Sequence, residues 1–153
     1  MDDLNVSLSA LYEREAGLLF SDPRAARNEY IDLILDRSDE RLDWFATRHI
    51  IPGFSSDQVT MALKLLEVQR NALLMYTSCG WFFDEVSGIE SVQVLQYAAK
   101  VIQYCGRLSG KSLETEFLER LEQVPSNLHR NAAEVYELFV RPARLDLLRV
   151  GVH

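Results

Sequence analysis

Two stretches, about residues 56–77 and 90–106, carry apolar side chains at helical spacing on more than one face, and this constrains the fold more than any other feature. In the first, Val59, Ala62, Leu66, Leu73 and Tyr76 form one stripe and Met61, Leu65, Val68, Ala72 and Met75 another. In the second, Val92, Leu95, Ala99 and Ile102 face one side and Val94, Ala98, Val101 and Cys105 the other. Helices that are apolar this widely lie at the centre of a bundle or under another domain. Only four prolines and seven glycines interrupt 153 residues, mostly between helical segments. The expectation is an all-α fold, one helical bundle of about six to seven helices spanning residues 1–153.

The remaining helices are placed by their start signals. A first helix is expected over about residues 2–20, although Leu4, Val6, Leu8 and Ala10 alternate as a strand would before Leu11, Glu15, Leu18 and Leu19 restore the helical repeat. Asp22-Pro23 supplies a capping acceptor and a proline at the first helical position, so a second helix runs to about Ser38. Ser38-Asp39 opens a short third helix through Leu42, Phe45, Ala46 and His49, which Pro52-Gly53 stops. Ser55 with Gln58 is a capping box for the fourth, and Ser87 with Glu90 has the same pattern for the fifth. Two further helices are expected at about 111–123 and, capped by Ser126, 127–140. Leu145, Leu148 and Val152 then keep helical spacing without a stop signal, which reads as a cut in a longer protein.

The formal net charge of -7 argues against a nucleic-acid partner, because that affinity comes from clustered Lys and Arg. No apolar run approaches the roughly 20 residues that span a bilayer, and MDDLNVSLSA lacks the basic start and apolar core of a signal peptide, so a cytoplasmic location is expected. Cys79 and Cys105 form no CxxC pair and read as reduced structural thiols. His49, His129 and His153 show no metal-ligand spacing, so neither a metal nor a cofactor is expected.

Between the two central helices lies TSCGWFFDEVSGIE, residues 77–90. An aromatic ring with one polar handle suits the apolar face of a sugar, so Trp81, Phe82 and Phe83 are candidate platform residues. Three consecutive aromatics do not all face one way, and the expectation is one or two buried with at most one presented, Trp81 first. Asp84 and Glu85 are candidates for hydrogen-bonding sugar hydroxyls, but adjacent residues rarely give the separation of about 5 to 9.5 Å that glycoside hydrolysis needs; solvated carboxylates are the simpler expectation. Glu90 is read as a cap, Gly80 as a left-handed residue past a helix end, Gly88 as a close approach and Cys79 as a small buried hydrophobe. Gln69, Arg70 and Asn71, with Gln93, Gln96, Tyr97 and Lys100, are expected to rim the loop or to form a solvated face.

The segment LLMYTSCGWFFDEVSGIESVQVLQYAAKVIQ, together with ALYEREAGLLFSDPRAARNEYIDLILDRS, resembles the helical domain of unknown function 3536, which accompanies a catalytic domain resembling glycoside hydrolase family 57. The resemblance implies an accessory domain whose partner is a catalytic barrel of the same polypeptide. TSCGWFFDE is also similar to the small-Asp-Trp-Phe loop of family 57 enzymes, which implies aromatic residues lining a cleft for an α-glucan or oligosaccharide. Gly80 departs from that pattern, standing where those enzymes place an aspartate. The family's nucleophile and acid have no counterpart, so no catalytic residue is assigned and the chain alone is not expected to act. Two other readings remain open: a protein-interaction domain with no ligand, and a self-sufficient enzyme acting through Asp84, Glu85 and Glu90.

Overall fold

Asp22 fulfils its sequence signal within three residues: its Oδ1 accepts from the backbone N–H groups of Arg24 and Ala25, each at 3.0 Å. Such local decisions set most helix starts in the computed structural model, which describes residues 1–110 and 112–143. The spacing of Leu145, Leu148 and Val152, like Lys111 at the start of one expected helix, lies outside the described residues. Among the described residues there are seven α-helices and no strand, only one isolated antiparallel bridge. The all-α expectation holds. The described chain divides into two compact units, Asp2–Arg70 and, with Met1, the residues from Asn71 onward.

The first unit holds α1 (Asp2–Leu19), α2 (Pro23–Leu35), α3 (Asp39–His49) and most of α4 (Ser56–Leu74). Leu4, Leu8, Leu11 and Ala16 of α1 are buried while Val6 and Ala10 point outward. The helical repeat therefore wins over the strand-like alternation at the amino terminus. Tyr12 donates its hydroxyl to the Pro23 carbonyl at 2.6 Å, tying α1 to the start of α2, and burial pushes that phenol up to about 12. Phe20 and Ile50 pair across the mouth of the α2–α3 hairpin, with Ser21 N–H donating to His49 O at 2.9 Å and Ile51 N–H to Leu19 O at 3.0 Å. Inside the hairpin the Tyr30 and Phe45 rings meet edge to face, and Tyr30 donates to Glu67 of α4 at 2.6 Å. The α4 capping box is present: Ser55 N–H reaches Gln58 Oε1 at 2.9 Å and Gln58 N–H reaches Ser55 Oγ at 3.4 Å.

The second unit contains the end of α4, a 3₁₀ turn at Ser78–Trp81, α5 (Ile89–Ser109), α6 (Glu114–Leu121) and α7 (Ala132–Val135). From α7 the chain runs on through a π turn, Tyr136–Val140, and a 3₁₀ turn, Arg141–Ala143. Gly110 closes α5 at φ 70, a left-handed value that favours glycine. The helix expected to begin after Ser126 begins later. The Ser126 hydroxyl does accept from the N–H groups of Leu128 and His129, yet Ala132 N–H turns back to Val124 O, and the helix waits for the Asn131 side chain, which accepts from Glu134 N–H at 3.0 Å. Tyr136 is fully buried beside Phe117, their rings 6.0 Å apart. The expected wide burial of α4 and α5 is partial, since Met61, Leu73, Tyr76 and Ile89 remain exposed.

Candidate functional site

The site grows out of the end of α4. Past Leu74 the chain tightens, with Tyr76 N–H donating to Leu73 O and Thr77 N–H to Leu74 O, and the 3₁₀ turn follows from Ser78. Its backbone is pressed onto α5 at Gly80. A Cβ at that position would collide with Val94 Cγ2 and sit 3.3 Å from Glu90 O. Gly80 is therefore required for close approach and does not take the left-handed conformation expected of it; among the described glycines, positive φ belongs to Gly53 and Gly110. Ser91 of α5 completes the attachment, its hydroxyl within 3.2 Å of Gly80 O and 3.3 Å of Glu85 O.

Because backbone meets α5 here, the side chains that follow are left outside. Trp81 is 57%, Phe82 79% and Phe83 59% exposed, which overturns the expectation that one or two would be buried. Phe82 and Phe83 pack edge to face at 5.1 Å. The Trp81 indole donates to Met75 O at 3.1 Å, which fixes the ring against the turn before it. Leu73, Tyr76 and Ile89 are exposed in the same stretch of sequence. Cys79, expected buried, is exposed, whereas Cys105 is buried and its thiol is pushed up to about 11 by desolvation.

Asp84 and Glu85 part company. Asp84 is exposed and solvated as expected. Glu85 is not a free carboxylate: it accepts from Ser126 Oγ at 2.7 Å, Asn127 N–H at 2.7 Å and Ser87 N–H at 2.9 Å. Those donors, the Ser126 hydroxyl foremost, hold its carboxyl down at about 2. A group ionised so firmly is a poor proton donor near neutrality, which weighs against an acid role for it. Its capture of Ser87 N–H also dissolves the expected capping box, and α5 starts from Gly88 with no side-chain cap. Ser126 and Asn127 were not legible as partners of the loop, since they stand 41 and 42 residues from Glu85 and no local pattern reports such a pairing.

The remaining rim residues divide as well. Asn71, expected at a polar rim, is buried, while Gln93 is exposed and Gln96, Tyr97 and Lys100 are partly so. Among the described residues no three His, Cys, Asp or Glu side chains gather as metal ligands would, and no helix is long and apolar enough to cross a membrane. The arrangement supplies an exposed apolar corner on a backbone attached through Gly80, Ser91 and Glu85, with the exposed Asp84 next in sequence. Compared with known families, the chain matches the one described as Domain of unknown function (DUF3536) across residues 1–153. No curated protein and no solved structure matches it.

Proposed function

Since the chain belongs to the DUF3536 family from residue 1 to residue 153, we propose that it is the helical accessory domain of a glycoside hydrolase family 57-like protein, resting on the catalytic barrel of that polypeptide through the Trp81-Phe82-Phe83 corner. The observation that carries this reading is the exposure of all three aromatic side chains on a backbone fixed by Gly80, Ser91 and Glu85. Clustered exposed apolar surface of this kind marks a site of contact. Trp81, and Asp84 three residues on, also contribute to the wall of an α-glucan cleft, the ring under the sugar's C–H face and the carboxylate on its hydroxyls. The parent protein acts in the cytoplasm, where the unpaired thiols of Cys79 and Cys105 stay reduced.

A second reading, docking with no glycan contact, is favoured by one detail: the Trp81 N–H is already engaged by Met75 O, and Phe82 and Phe83 have no polar atoms to offer a sugar. Two variants of the full-length protein separate the readings. Phe82→Ala is expected to leave the free chain within about 0.5 kcal/mol of wild type, as exposed substitutions do. In the full-length protein it lowers the urea midpoint, because burial of a phenylalanine there stabilises by about 1.5–3 kcal/mol. Trp81→Ala is expected to weaken malto-oligosaccharide affinity about tenfold, or about 1.4 kcal/mol. Unchanged affinity and turnover remove the cleft-wall role, and an unchanged full-length midpoint removes the docking role.

A further inference from the structure

Phe82 and Phe83 follow the 3₁₀ turn outside any helix, and neither makes a hydrogen bond to another described residue. Their stretch is held at its two ends instead. Upstream, Gly80 lies against α5 and its carbonyl accepts from the Ser91 hydroxyl, which also reaches Glu85 O. Downstream, the Asp84 carbonyl accepts from the Asn127 side-chain amide at 3.4 Å, and the Glu85 carboxylate takes Ser126 Oγ and Asn127 N–H at 2.7 Å each. The side-chain anchorage of the downstream end therefore comes from the loop that joins α6 to α7, more than 40 residues away.

That loop has few bonds of its own. Ala132 N–H turns back to Val124 O, and the Ser126 hydroxyl accepts from the N–H groups of Leu128 and His129. The bonds to Glu85 are charge-assisted and are the stronger kind. Each loop thus supplies part of the other's order. Docking costs less when the contacting segment is already fixed, and a contact that fixes it returns the same free energy to whatever it is tied to. We propose that the α6–α7 loop is the second end of the docking corner: Ser126 and Asn127 are positioning residues that set where Phe82 and Phe83 stand, so that docking and order across residues 122–131 reinforce each other. This rests on the docking reading of the corner given above.

Hydrogen exchange followed by mass spectrometry over residues 122–131, in the full-length protein and in the free chain, tests the coupling. Phe82→Ala removes a ring and no hydrogen-bonding group of that loop. It is expected to speed exchange there about fivefold in the full-length protein, the lower end of what linked sites show, and to leave the free chain unchanged. Glu85→Ala and Ser126→Ala are expected to speed exchange in both, and in either background Phe82→Ala then adds nothing. The proposal is overturned if Phe82→Ala lowers the full-length urea midpoint yet leaves exchange across 122–131 as in wild type, a result the docking reading survives. An unchanged midpoint removes the docking reading and the proposal with it. An equal acceleration in the free chain also overturns the proposal, because the loop then answers to the ring and not to a partner. So does an undiminished effect of Phe82→Ala in the Glu85→Ala background, which would route the coupling elsewhere.

Discussion

Glu85 shows how one side chain organises a loop, by bonding to Ser87 two residues on and to Ser126 and Asn127 more than 40 residues away. Its carboxyl sits at about 2 in the folded chain against an ordinary 4.5, because Ser126, Ser87 and Asn127 donate to the ionised form. The folded state therefore holds its proton less readily than the unfolded state, and the resulting stabilisation is complete above the ordinary value and disappears as pH falls towards about 2. Glu85→Gln is expected to be less stable than wild type at neutral pH, with the gap in urea midpoints closing across that acid range. A gap that stays constant from neutral to acid pH would contradict the assignment. Gly80→Ala tests the neighbouring constraint: the added methyl group meets Val94 Cγ2, and the overpacking is expected to cost about 1–3 kcal/mol in chemical unfolding. Val94→Ala in the same chain should return part of that loss.

Helix boundaries reveal which signals carry from sequence to structure. Asp22, Ser38 and Ser55 cap where the sequence puts them, since each bond closes within three residues and nothing distant competes for it. Ser87 does not pair with Glu90, because Glu85 takes its N–H first, and Ser126 nucleates a turn that leads to no immediate helix. Asn131 is the start signal that was missed there, with Glu134 Oε2 reaching back to Arg130 N–H at 2.6 Å in the manner of a capping box. Asn131→Ala is expected to cost about 1 kcal/mol in thermal or urea unfolding, the usual worth of such a cap. The Phe20–Ile50 bridge was equally hidden from any local pattern, because it joins residues whose proximity exists only after α2 and α3 have folded back on each other.

At the scale of the whole molecule, the helical class was readable because apolar spacing and sparse breakers act everywhere along the chain, while the outward turn of the aromatic triplet was not. That turn depends on backbone contact at Gly80, and side-chain pattern alone carries no trace of it. The outcome is a chain of net charge -7 with large rings facing outward. A dye whose emission rises on apolar surface is expected to bind the free chain, and Phe82→Ser with Phe83→Ser to remove most of the signal; retained emission would locate the sticky surface elsewhere. The inward-turned N–H of Trp81 has a further consequence. Whatever comes to rest on that indole finds no N–H left to satisfy, so it is selected by its shape and by what suits a π face, and it meets no directional hydrogen bond there, as a bearing permits and a lock does not.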